Sequence, residues 1–131
     1  MQKSLQRVLL TKKGRKNMEN CIFCKIINGE IPSTKVYEDD LVYAFNDLEP
    51  TAPLHCLIVP KKHICCANEI MEEDEALIGH IFRVAVKIAK EKGFSENGYR
   101  IVNNCGKDAG QTVFHIHFHL LAGREFGWPA G

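Results

Sequence analysis

No stretch of this 131-residue chain is apolar for the roughly 18–20 residues that a membrane-crossing helix requires, so a helical membrane span is excluded. No secretory signal is expected either: the apolar patch near the start is only Val8-Leu9-Leu10, short of the roughly 7–15 residues such a signal needs. There are no internal repeats and no low-complexity tracts. Acidic residues are missing from residues 1–17, which hold six of the 17 basic side chains (Lys3, Arg7, Lys12, Lys13, Arg15 and Lys16). That leaves 11 basic against 16 acidic groups over residues 18–131, a mildly acidic body that argues against a broad electrostatic footprint on nucleic acid. The leader, residues 1–17, is expected to be a disordered basic extension or a false start upstream of Met18, and residues 18–131 one domain.

The six cysteines (Cys21, Cys24, Cys56, Cys65, Cys66 and Cys105) do not read as a disulfide framework, because no secretion signal is expected and the chain is long enough to build a core. A reducing, cytoplasmic setting is the expectation. In it, Cys21-x-x-Cys24 reads as metal or redox chemistry, with a loose disulfide or ordinary core thiols as alternatives.

Short helical character over Cys21–Asn28 is stopped by Asn28-Gly29 and Pro32. Strands are predicted at Lys35–Glu38, Leu41–Asn46, His55–Val59, Tyr99–Val102 and Val113–Leu121, with Asp39-Asp40 as the turn of a hairpin. The one long helix, Glu72–Lys92, carries Leu77, Ile81, Val84 and Ile88 along a single stripe. Its acids come first and its lysines last, which complements the helix dipole, and Gly93 ends it. His80 on this helix reads as structural, Lys61-Lys62 as a solvated pair, and Cys65-Cys66 as packing thiols. The expected fold is an α+β domain: a five-stranded antiparallel meander, one long helix after the third strand, and a short N-terminal helix.

Chemistry concentrates in His115-Ile116-His117-Phe118-His119-Leu120-Leu121. Alternate strand residues share a face, so the three imidazoles project to one side and Ile116, Phe118 and Leu120 to the other. Three unpaired imidazoles are costly to bury, so their face should look into a cleft. The outer pair is separated by about 13 Å along a strand, too far to close on one ion, so the row should divide its labour. The preceding Gly110-Gln111-Thr112-Val113 offers backbone N–H groups and polar side chains to an anion. An imidazole facing such a pocket is placed to attack phosphorus.

The run from Gly110 to Leu121 resembles the signature of the histidine triad (HIT) superfamily. In the same order, Cys21–Ile26, Glu30-Ile31-Pro32, Tyr37–Asp40, Ala52–Ile64 and Gly98-Tyr99-Arg100 are similar to its other segments, and Gly123-Arg124 with Trp128–Gly131 to its nucleotide-binding Hint branch. The resemblance implies a HIT-like fold and a hydrolase that cleaves nucleoside 5′-phosphoramidates, adenosine ones preferred, to a nucleoside monophosphate and an amine. His117 would form a nucleotidyl-imidazole intermediate. His119 and His55 would contact the phosphate and move protons, and Thr112 would bond the leaving group. Asn104, Gly110, Gln111 and Val113 would hold the phosphate. Ile22, Phe23, Ile26, Ile31, Asn46, Asp47 and Leu48 would form the nucleoside pocket, with Asp47 on the ribose, although Asn46 stands where some relatives carry histidine. Trp128 would belong to a tail that reaches the substrate side.

The resemblance further implies a homodimer whose sheets join. Some relatives hold a structural zinc, one per subunit, at positions matching Cys21, Cys24, His63 and His115. Others lack the cysteines and fold without metal, so no catalytic cofactor is expected. Two rival readings stand beside this one: a dinucleoside polyphosphate hydrolase of the Fhit branch, and a nucleotide-binding adaptor with incidental turnover.

Overall fold

The computed structural model describes residues 20–131. The basic leader, and the expectation attached to it, therefore lie outside the described residues. Helix α1 spans Ile22–Ile27, and strands β1 (Lys35–Glu38), β2 (Val42–Asn46) and β3 (Leu54–Pro60) follow. Two 3-10 turns (Ala67–Glu69 and Glu72–Asp74) lead into helix α2 (Glu75–Lys92), then β4 (Tyr99–Val102) and β5 (Phe118–Ala122). All four strand pairings are antiparallel.

The strand order is β1-β2-β3-β5-β4, so the sheet is not the meander expected. The last strand enters between β3 and β4, and β4 becomes an edge. β5 is also shorter than predicted: Val113–His117 lie outside it, and Ile116 instead donates its N–H to the Ile64 carbonyl at 2.6 Å. The Gly110–Val113 loop breaks pairing here, yet the backbone alternation carries through. Ile116, Phe118, Leu120 and Ala122 are buried on one side with Val42, Ala44, Cys56 and Ile58, beneath Ile81, Val84, Ala85 and Ile88 of α2. On the other face Tyr43, Phe45, Leu57 and Val59 pack against Cys21, Phe23, Cys24 and Ile26 of the α1 segment. A sheet covered on both faces explains why every residue of β3 is buried. Leu120 is fully buried at the middle of β5. Leu120→Ala should cost about 2–5 kcal/mol in urea unfolding, and a loss under about 1 kcal/mol would contradict this packing.

Helix α2 begins later than expected because Glu72–Asp74 forms a tighter turn. Buried Asp74 accepts from the Met71 N–H at 2.9 Å and pairs with Lys62, which also reaches Glu73 at 3.2 Å. Lys61 pairs with Glu38 at 2.8 Å. The lysine pair is therefore not simply solvated; it ties the end of β3 to β1 and to the start of α2. His80 is structural as expected, its Nε2 lying 2.7 Å from Asp39 Oδ2 and linking α2 to the β1–β2 turn. Gly93 takes φ 85°, a left-handed cap that suits glycine. No helix among the described residues is long and apolar enough to cross a membrane.

Candidate functional site

The α1 face of the sheet carries two adjoining clusters. In the first, Cys21 caps α1 and Cys24 lies one turn on. His63 follows β3, and His115 precedes β5. The His115 ring is fully buried and its Nε2–H donates to the Pro60 carbonyl at 2.8 Å. That bond leaves the Nδ1 lone pair facing Cys21 Sγ at 3.3 Å, Cys24 Sγ at 3.5 Å and His63 Nδ1 at 3.2 Å. Cys24 Sγ lies 3.4 Å from His63 Nδ1. The hydrogen bond from Cys24 holds the Cys21 thiol far below its usual range; burial opposes this, and His115 and His63 add to it. Four soft or borderline donors converging in this way can hold a metal ion.

The second cluster contains His117, His119, His55 and Asp47. His117 Nδ1–H donates to the His115 carbonyl at 2.8 Å, so its Nε2 keeps the lone pair. Phe23 stands edge-on to this ring at 5.0 Å and 89°. Asn103 Nδ2 donates to the His117 carbonyl at 2.9 Å. The Thr51 backbone N–H donates to His55 Nδ1 at 3.1 Å, which places the His55 proton on Nε2. That proton faces His119 Nδ1 at 2.9 Å, with Asp47 Oδ2 at 3.4 Å. His119 therefore carries its own proton on Nε2. Asp47, His55 and His119 have ligand atoms close enough for a cation, but His55 presents them a proton rather than a lone pair. The hydrogen bond from His55 fixes which nitrogen of His119 accepts.

Burial favours the neutral form of all three imidazoles. It lowers His55 against the pull of Asp47, and it lowers His117 against its bond to His115. Burial, then the neighbouring His117 and His55, push His119 down to about 4. An unfolded-chain histidine titrates near 6.5, so on acidification the unfolded state takes up this proton first. Stability from this source is complete above about pH 6.5 and is lost as the pH falls toward about 4. Urea midpoints should drop between about pH 7.5 and about pH 5, and less so in His119→Gln; equal drops would contradict the assignment.

The remaining predicted residues divide. Gln111 is buried and its amide is committed to the backbone: Oε1 accepts from Gly106 N–H at 2.9 Å, and Nε2 donates to the Cys65 and Val113 carbonyls at 2.9 and 3.0 Å. It shapes the loop that Gly110 turns at φ 85°. Thr112 is exposed, and with Val113 and His63 it lines a groove of about 850 Å³ beside the metal cluster. Asn104 is half-buried beside Asn103. Phe23 and Ile26 are buried, Ile31 is half-buried and Ile22 and Asn46 are exposed. Asp47 Oδ1 accepts from the Glu49 N–H at 2.8 Å.

Leu48 and Trp128 stand out in solvent, 95% and 85% exposed. The tail is anchored just before Trp128: Arg100 donates to the Gly127 carbonyl at 2.9 Å, and Arg100 and Arg124 both lie against the Phe126 ring. Arg124 also donates to the Thr51 carbonyl at 2.9 Å. Sequence reasoning missed Thr51, Asn103 and Arg124.

A five-stranded antiparallel sheet with a histidine row on one face and a long helix on the other defines a class of α+β proteins with an imidazole-lined cleft. Residues 28–126 match the HIT domain, and the chain belongs to that family. It is 50% identical over 109 residues to the purine nucleoside phosphoramidase of Escherichia coli K12, covering 83% of this chain and 92% of that one. Among solved structures, a HIT family hydrolase from Legionella pneumophila superposes with a TM-score of 0.84 at 51% identity, covering 86% of this chain and all of that one. A histidine triad protein from Clostridium difficile gives 0.80 at 58% identity, covering 82% and 94%.

Proposed function

We propose that the protein hydrolyses nucleoside 5′-phosphoramidates, adenosine ones preferred, to a nucleoside monophosphate and an amine. The observation that carries this reading is the His117 ring: Nδ1 is committed to the His115 carbonyl, and Nε2 is left with a lone pair beside two proton-carrying histidines. The name of the Escherichia coli relative supports the substrate class. In the first step, His117 Nε2 bonds to the α-phosphorus while the phosphorus–nitrogen bond to the amine breaks. The departing amine takes a proton that His119 passes on from solvent, while the hydrogen bond from His55 holds His119 in the tautomer that donates from Nε2. Water then cleaves the nucleotidyl-imidazole, the proton path running in reverse, and His117 is regenerated. Thr112, Gly110, Gln111, Val113 and Asn104 shape the phosphate side. Ile22, Phe23, Ile26, Ile31, Asn46, Asp47 and Leu48 supply the nucleoside side, with Asp47 accepting from ribose hydroxyls.

The Cys21–Cys24–His63–His115 cluster is read as a zinc site, one ion per subunit. Tetrahedral zinc with bonds of about 2.0–2.3 Å sets its donors roughly 3.3–3.8 Å apart, close to the spacing here. A closed set of four protein ligands gives the ion a structural duty. The protein is further read as a homodimer in a reducing cytoplasm, where unbridged cysteines are the norm. Assaying purified protein against adenosine 5′-phosphoramidate and a diadenosine polyphosphate tests the reading. AMP release from the first should exceed cleavage of the second by at least ~10-fold, and the reverse preference would overturn it.

A further inference from the structure

We propose that the metal cluster positions the His117 ring through His115 and Phe23, so that occupancy of the cluster sets how much of His117 is competent to attack. The inference rests on the reading of His117 as nucleophile and of the cluster as a zinc site.

His115 belongs to both clusters. Its ring is locked between the Pro60 carbonyl, at 2.8 Å from Nε2, and the cluster, which Nδ1 faces. Its carbonyl oxygen accepts the His117 Nδ1–H at 2.8 Å. That single bond decides which nitrogen of His117 carries the proton. With the proton on Nδ1, Nε2 can attack; with the opposite tautomer it cannot. A ligand bond on the ring of His115 therefore steadies the acceptor that holds the nucleophile in its reactive form.

Phe23 is the second link. It lies between Cys21 and Cys24, and its ring meets His117 at 5.0 Å, His115 at 6.0 Å and Phe45 at 5.6 Å, each edge-on. Helix α1 has only six residues, far too few to hold itself in water, so its placement depends on what grips it. Its two cysteines are part of that grip, beside the packing of Phe23 and Ile26 on the sheet. Phe23 is buried and forms one wall of the His117 ring. Loosening α1 moves that wall. His115 and Phe23 are positioning residues here, because neither needs to touch the reacting phosphorus.

The coupling is graded. Without an ion, thiol and imidazole groups at 3.2–3.5 Å still hydrogen-bond one another and hold part of the arrangement. Nitrogen-15 NMR of the imidazoles reads the tautomer of His117 directly, in zinc-loaded and chelator-stripped wild type. The loaded protein should show His117 protonated on Nδ1 alone. The stripped protein should show a mixture of tautomers, with kcat for adenosine 5′-phosphoramidate down about 10-fold, and the single tautomer and kcat should both be restored by added zinc. Phe23→Leu keeps all four ligands, so it should bind zinc like wild type while its His117 signals shift and kcat falls.

A folded, stripped protein with unchanged His117 signals and unchanged kcat would overturn the proposal. If stripping unfolds the chain, Phe23→Leu decides: wild-type signals and kcat in that variant refute the coupling. His117→Ala in the zinc-loaded protein separates the two levels of argument, since turnover retained there refutes the nucleophile itself.

Discussion

Replacing His117 with alanine should lower AMP release from adenosine 5′-phosphoramidate by ~10³-fold or more while AMP binding, measured by calorimetry, stays within a few-fold of wild type. The size of the effect follows from where the protons sit. His55 has both nitrogens in use, Nδ1 accepting from Thr51 and Nε2 donating to His119. His119 has Nδ1 filled by that donation and carries its own proton on Nε2. Neither neighbour has a lone pair to offer phosphorus, so neither can substitute for the missing ring. Binding survives because the nucleoside side and the loop around Gln111 do not depend on this ring. Turnover close to wild type in His117→Ala would remove the mechanism.

Cys24→Ser should reduce bound zinc from about one ion per subunit to almost none and lower unfolding stability by roughly 2–5 kcal/mol. A serine hydroxyl stays protonated at neutral pH and is a poor ligand for zinc, whereas a thiolate is a good one. The stability cost arises because the cluster joins distant parts of the chain: Cys21 and His115 are 94 residues apart and meet at 3.3 Å. Elemental analysis of freshly purified protein decides the first half, and finding no zinc in wild type would refute the assignment. Thermal or urea unfolding of the variant decides the second.

The parts of this molecule legible in the sequence are those set by local periodicity. The stripe of Ile81, Val84 and Ile88 located the face of α2, and Gly93 its end. The alternation from His115 to Leu120 placed imidazoles and apolar groups on opposite faces before any strand was seen. The order of strands was not legible, because pairing of β5 between β3 and β4 is decided by contacts across the chain. The limits of β5 were misread for a related reason. Val113–His117 has a strand-like pattern, but its backbone bonds to Ile64 rather than to a sheet neighbour.

Within the site, Thr51 contributes a backbone N–H, and a main-chain donor leaves no mark on residue type. Asn103 and Asn104 are neighbours of the same kind, and only the fold distinguishes the one that holds the His117 carbonyl. Gln111 looked like a ligand for phosphate; its three bonds to the main chain show a residue that builds the loop.

The covering of the sheet on both sides has a consequence for how the chain reaches this state. Because successive side chains of β5 point in opposite directions, sliding the strand by one position would drive the His119 ring into the apolar layer under α2 and turn Leu120 and Phe118 toward the histidine cleft. Both halves of that error are unfavourable, and they are unfavourable together. The motif that would perform the chemistry thus also helps to set the register of the sheet, because a slipped strand loses its apolar burial and strands a polar ring at once.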